Sequence, residues 1–291
     1  MPLPDPPPLG TAMLPPGSYQ GVVVAVTGGG TGLGLAMGRE FARLGASVAI
    51  FSRSPEHHAR GVAAIEAVGG RAAGFVVDVR DAEQVQGAFE AAETQLGPIS
   101  VLVNNAAGNF SSPAEDLSPN AWRSVVQIVL DGTFLCSREF ARRVLTRAGD
   151  GAILNIGASY AWTGGAGAAH SAAAKAGITN LAMSLAVEWA PCGIRVNTLV
   201  PGPFPHDDFP QKLKSNFGGA RAARIPAGRV GQVHELGWAA TYLCSRFASF
   251  VTGMTFVIDG GYWLRRGLAL PEFVSVREQL GKGPFQPISE G

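Results

Sequence analysis

The feature that most constrains this chain is an apolar strand that runs straight into a glycine-rich turn and then into an amphipathic helix. Val22 to Val26 is a continuous, largely β-branched run, the pattern of a strand covered on both faces. Thr27-Gly28-Gly29-Gly30-Thr31-Gly32-Leu33-Gly34 follows at once. Leu33, Met37, Phe41 and Leu44 then recur at helical spacing, and Gly45 supplies the stop. Glycines at such a junction let the backbone turn tightly and come close to an anion, and the helix behind them offers free N–H groups at its positive end. A glycine-rich stretch alone is an ordinary turn. Its place between strand and helix points to a pyrophosphate-binding βαβ unit.

The alternation continues along the chain. Val48–Phe51, Gly74–Val77, Val101–Val103, Ile153–Ile156, Ile194–Val200 and Thr255–Ile258 read as further strands, and residues 56–68, 120–146 and 170–190 as helices. Strands separated by helices imply right-handed crossovers, so the expected fold is α/β, a single-domain doubly wound parallel sheet of the Rossmann type with helices on both faces. No internal repeat or linker marks a second domain. Residues 1–20 hold Pro2, Pro4, Pro6, Pro7, Pro8, Pro15 and Pro16 and read as a disordered tail. The Rossmann-type domain is expected over 21–265, with a Pro-, Gly- and Arg-rich loop at about 203–229 on the substrate side and a C-terminal extension at 266–291.

A formal net charge of +1, with no Lys/Arg run, gives no footprint for nucleic acid. No apolar run is long enough for a bilayer. The first basic side chain, Arg39, comes too late for a secretory or transit leader, and Ser289-Glu290-Gly291 is no peroxisomal address, so a cytoplasmic protein is expected. Cys136, Cys192 and Cys244 lie far apart and read as small core residues in a reducing compartment. His57, His58 and His170 read as solvated, and no metal is expected.

The second strand ends in Phe51-Ser52-Arg53-Ser54, with no acid before Glu56. Binders of NAD place a carboxylate there for the ribose 2′-hydroxyl. Arg53 can instead pair with a 2′-phosphate, and Ser52 leaves room for it, so NADPH is the expected cofactor.

Together these residues carry a resemblance. Thr27 to Gly34 (with Gly28, Gly30, Thr31, Gly32 and Leu33), Asp78-Val79, Asn104-Asn105-Ala106-Ala107-Gly108, Pro201-Gly202 and Asp259-Gly260-Gly261 resemble the ordered motifs of short-chain dehydrogenases/reductases over about residues 20–263. The resemblance implies that Asp78 and Val79 meet the adenine, that Asn105 lies at the cofactor, and that Pro201, Gly202 and Phe204 border the nicotinamide. It also implies a homotetramer.

The chain departs from the family where carbonyl chemistry is done. Counted back from Lys175, the usual Tyr position holds Ser171 and the usual Ser position Ala158, while the helix Asn position holds Val129. Neither Ser171 nor Ala158 supplies a phenolic proton. The 2,4-dienoyl-CoA reductases of unsaturated fatty-acid breakdown share this replacement, and the chain is similar to them in Asn104 to Phe110, in Leu117 to Trp122, and in Tyr160 with Ser171 and Lys175. The resemblance implies that Tyr160 and Asn109 hold the thioester oxygen, where charge collects in reduction of a conjugated thioester. Lys175, the only lysine among the first 211 residues, would hold the nicotinamide ribose, and Ser171, one turn earlier on the same helix face, would steady the lysine or the cofactor. Arg80, Phe110 and Ser118 match substrate contacts of that subgroup, and Lys212, Lys214, Arg221 and Arg224 could meet the phosphates of an acyl-CoA. Three alternatives stay open: a trans-2-enoyl-CoA reductase, which His170 to Asn197 also resembles; a carbonyl or alcohol oxidoreductase; and a catalytically idle NADP(H)-binding protein.

Overall fold

A computed structural model describes residues 3–206, 208, 222–264 and 275–283. Seven strands form one parallel sheet: β1 (Val23–Thr27), β2 (Ser47–Ser52), β3 (Arg71–Val76), β4 (Ile99–Asn104), β5 (Gly151–Ile156), β6 (Ile194–Pro201) and β7 (Thr255–Ile258), in the order β3-β2-β1-β4-β5-β6-β7. The chain winds outward from β1 to β3, then crosses to β4 and winds the other way. That reversal opens a crevice beyond the carboxyl ends of β1 and β4, where such sheets bind ligands.

Helices cover both faces because every central strand is apolar on both. Val24 and Val26 enter one core with Met37 and Phe41 of α1 (Gly32–Arg43), Ile65 of α2 (Pro55–Glu66) and Leu236 of α8 (Val233–Cys244). Val23 and Ala25 enter the other with Phe89 of α3 (Ala82–Leu96), Phe140 of α5 (Gly132–Thr146) and Leu185 of α7 (Ala169–Trp189). The small elements are α4 (Pro119–Val126), α6 (Tyr160–Thr163) and α9 (Val276–Gln279).

Three sequence expectations need correction, and one helix was missed. The proline-rich start is docked rather than disordered: Leu14 and Tyr19 are buried, and the Tyr19 hydroxyl donates to the Thr241 carbonyl at 2.5 Å. Proline excludes a helix there but leaves carbonyls free, and His234, Trp238 and Arg229 take up those of Pro7, Thr11 and Pro4. Helix α3 goes unread in the sequence, although Val85, Phe89, Ala92 and Leu96 form its buried stripe. The stretch 120–146 is not one helix, for a π-turn at Gln127–Asp131 divides α4 from α5. Cys136 and Cys244 are buried, but Cys192 is exposed.

Of the expected substrate loop, residue 207 and residues 209–221, including Lys212, Lys214 and Arg221, lie outside the described residues, as do 265–274 and 284–291 of the extension. Among the described residues no helix is long and apolar enough to cross a membrane.

Candidate active site

The glycine turn closes on the next strand through Thr27 and Asn105. The Thr27 Oγ1 accepts from the Asn105 and Ala106 amides, each at 2.9 Å. The Asn105 side-chain amide donates to the carbonyls of Thr27 and Gly28 at 3.0 and 3.3 Å. Two glycines here are required by geometry. Gly28 has φ +65°, a left-handed conformation. A Cβ on Gly34 would lie 2.5 Å from both the Gly28 carbonyl and the Asn105 amide nitrogen, so α1 approaches the turn this closely only without one.

In front of the turn lies a cleft of about 340 Å³, lined by Gly28, Thr31, Ser52, Arg53, Asp78, Val79 and Asn105. Of the sequence-expected cofactor residues, Gly28, Thr31, Arg53, Asp78, Val79 and Asn105 meet in this one cleft. Arg53 is exposed at the rim. Asp78 is held by Arg80 through Nε at 2.9 Å and Nη2 at 2.5 Å, and these bonds hold its carboxyl below the usual aspartate range. Arg80, expected at the substrate, is exposed and pairs with Asp78. Phe204, expected beside the nicotinamide, has its ring buried in the core, where its edge would meet a Cβ on Gly231 at 2.3 Å.

A nicotinamide dinucleotide fits these residues on two observations. One is the side-chain-free cradle just described. The other is an anion already at the pyrophosphate seat: the Asp208 carboxylate accepts from the Gly32 amide at 2.7 Å, at the N-terminus of α1, and also pairs with Arg60.

At the far end of the crevice stand the residues of the expected reaction. Tyr160 opens α6 just beyond β5, and its hydroxyl lies 3.0 Å from the Ser171 Oγ on α7. Ser171, expected to steady Lys175 or the cofactor, is bonded to the Tyr160 hydroxyl. Lys175 is buried, its ammonium donates to the Ile156 carbonyl at the end of β5, and burial pushes its pKa down to about 8. Asn109 is exposed beyond β4, with Phe110 beside it, and Ser118 is exposed as the cap of α4, accepting from the Ala121 amide at 3.2 Å. Val129, at the family's Asn position, sits buried in the π-turn, a device common at functional sites.

Several neighbours went unread in the sequence. His170 is buried, not solvated, and packs on Phe110. His58 is also buried, against the Ser52 carbonyl at 3.0 Å. Trp162 of α6 meets Trp263 edge to face at 5.4 Å, which ties the Tyr160 helix to the chain beyond β7. Arg277 and Lys282 pair with Asp116, so part of the C-terminal extension packs beside the connection between β4 and α4. No sequence pattern links residues so far apart.

The family described as enoyl-(acyl carrier protein) reductase matches residues 28–263. A Bacillus subtilis protein named "Probable 2,4-dienoyl-CoA reductase [(2E)-enoyl-CoA-producing]" is 42% identical over 244 residues, covering 83% of this chain and 96% of its own. The peroxisomal 2,4-dienoyl-CoA reductase [(3E)-enoyl-CoA-producing] of Arabidopsis thaliana is 35% identical over 266 residues, 88% of this chain and 89% of its own. The structure is also similar to a gluconate 5-dehydrogenase from Burkholderia cenocepacia in complex with NADP and tartrate, with a TM-score of 0.79 and 32% identity over 86% of this chain and 98% of the other. This chain, with its doubly wound sheet and glycine cradle, is an oxidoreductase that belongs to the short-chain dehydrogenase/reductase family.

Proposed function

We propose that the protein uses NADPH to reduce a conjugated acyl-CoA thioester, with a 2,4-dienoyl-CoA as substrate and an enoyl-CoA as product. The observation that carries this reading is the Tyr160–Ser171 pair at 3.0 Å beside the buried Lys175. A serine stands where carbonyl reducers of the family carry the acidic tyrosine, and the tyrosine has moved to α6, outside the α7 helix. The similarity to two reductases of 2,4-dienoyl-CoA supports the same substrate class.

When bound, the nicotinamide would supply a hydride to the far carbon of the diene, and a proton taken up from water at an acyl carbon would complete the enoyl product. The residues of this chain then stabilise the charge that arrives on the thioester oxygen. The Tyr160 hydroxyl and the Asn109 amide donate to it, and such donors act most strongly where water is excluded. Ser171 sets the direction of the Tyr160 hydroxyl by accepting from it or donating to it. The Lys175 ammonium, fixed to the Ile156 carbonyl, holds the ribose hydroxyls and adds a positive charge nearby. Arg53 at the cleft rim pairs with the 2′-phosphate, in keeping with the NADP complex of the related dehydrogenase. The assembly we expect is a homotetramer, checked by light scattering.

Stopped-flow NADPH consumption with a 2,4-dienoyl-CoA, a trans-2-enoyl-CoA and a simple ketone tests the proposal. The dienoyl thioester is expected to be consumed fastest and the ketone slowest. A protein that prefers the ketone is a carbonyl reductase; one that prefers the enoyl thioester belongs with the 2-enoyl reductases; one that consumes none is idle.

A further inference from the structure

His170 is the second residue of α7 and is 1% exposed, yet neither Nδ1 nor Nε2 has a hydrogen-bond partner among the described residues. The other two buried histidines each engage a carbonyl: His58 that of Ser52 at 3.0 Å and His234 that of Pro7 at 3.1 Å. Burial of two unpaired polar atoms carries a desolvation penalty for each. Phenylalanine or leucine would avoid it, since the neighbouring surface is the Phe110 ring, met edge to face with centroids 4.6 Å apart. A local rule broken at the edge of a site points to a group reserved for a ligand.

Its neighbours indicate which part of the ligand. On one side Ser171 follows in sequence and bonds the Tyr160 hydroxyl. On the other, Phe110 follows Asn109. Tyr160 and Asn109 are the two donors assigned above to the thioester oxygen, and two donors saturate that oxygen's lone pairs. The next polar group along an acyl-CoA is the amide of the pantetheine arm, two methylenes beyond the sulfur. A neutral imidazole offers one N–H and one lone pair, and an amide offers one C=O and one N–H. The two are complementary.

We propose that His170 is a substrate-binding residue that hydrogen-bonds the pantetheine amide nearest the thioester, with Phe110 as the apolar wall beside it. This rests on the acyl-CoA reading above and adds to it a means of telling a CoA thioester from a simple one. No bond is made or broken at His170.

The test compares wild type, His170→Phe and His170→Gln, each loaded with NADP+, by calorimetric titration with hexanoyl-CoA and with S-ethyl thiohexanoate, which has the thioester but no amide. Neither ligand can be reduced, so the result does not depend on turnover. His170→Phe is expected to weaken hexanoyl-CoA by about tenfold, the size of one neutral hydrogen bond, and to leave the S-ethyl ester within about twofold. His170→Gln, which keeps a donor and an acceptor, is expected to recover part of the loss. The ligand-free His170→Phe protein is expected to melt at or above the wild-type temperature, because two unpaired atoms are gone. Equal effects on both ligands, no effect on either, a lower melting temperature with equal losses, or no hexanoyl-CoA binding by the wild type would each overturn the assignment. Tight, His170-dependent hexanoyl-CoA binding without dienoyl turnover would overturn the proposed reaction alone.

Discussion

Lys175→Met is the most informative single change, because its effect on stability depends on pH with a definite sign. The ordinary lysine value is 10.5, and burial pushes Lys175 down to about 8 in the folded chain. A depression of that size corresponds to about 3 kcal/mol against the charged form. Between pH 8 and 10.5 the unfolded chain binds the proton more tightly than the folded one, so stability rises with pH across that window. The burden on the folded state is therefore full below pH 8 and gone above 10.5. From pH 7 to pH 9.5 the wild type should gain about 2 kcal/mol relative to Lys175→Met, which has nothing to titrate there. Taking the difference between the two proteins removes groups they share, including Tyr19, whose burial raises its pKa and whose ionisation acts in the opposite direction. Urea unfolding of both proteins, followed by tryptophan fluorescence at several pH values, gives the number. A stability difference that does not change with pH would refute the reasoning, since Lys175 would then titrate like a solvated lysine. The same argument says that NADPH binding, which offers ribose oxygens to the ammonium, should take up protons near pH 8–9.

Three further outcomes are expected. Arg53→Ala should remove most of a preference for NADPH over NADH of about tenfold or more, measured by fluorescence titration; a wild type indifferent to the 2′-phosphate would refute that role. Tyr160→Phe and Asn109→Ala should each lower turnover on a dienoyl-CoA about a hundredfold or more with NADPH affinity nearly intact, as loss of one oxyanion donor does elsewhere, and Ser171→Ala should be milder because it only orients Tyr160. Ser171→Ala more damaging than Tyr160→Phe would reverse the two roles. Asp208→Asn should tighten NADPH binding about two- to fivefold, because a carboxylate no longer competes for the N-terminus of α1; unchanged affinity would show that it never competes there.

What could be read from the sequence was local. The β1 run, the glycine turn and the spacing of Leu33, Met37 and Phe41 specify strand, cradle and helix within one short window, and the strand–helix alternation then carries the doubly wound sheet. The cleft residues from Gly28 to Arg53 were legible for the same reason. What escaped depends on contacts between distant residues. Proline content excludes a helix for the first twenty residues, but nothing local shows that His234, Trp238 and Arg229 wait for their carbonyls. Phe204 follows a cofactor-side turn, but nothing local shows that the gap left by Gly231 takes its ring into the core. Arg80 is adjacent to a recognised motif, but its bond to Asp78 is not visible in the sequence. His170 read as polar and therefore solvated; only the packing of Phe110 against it shows a buried ring. Helix α3 is different, for its stripe of Val85, Phe89, Ala92 and Leu96 was present in the sequence, diluted by the Ala, Glu and Gln around it.

The central claim is that Tyr160 and Asn109 hold a thioester oxygen while hydride goes to carbon far from it. Transfer of deuterium from C4-labelled NADPH to 2,4-hexadienoyl-CoA, with the product analysed by NMR, tests this most directly. The expected product is an enoyl thioester with its C–S bond intact and deuterium on C5 of the acyl chain. Deuterium on a new carbinol carbon, or transfer only to a ketone offered in competition, would contradict the account.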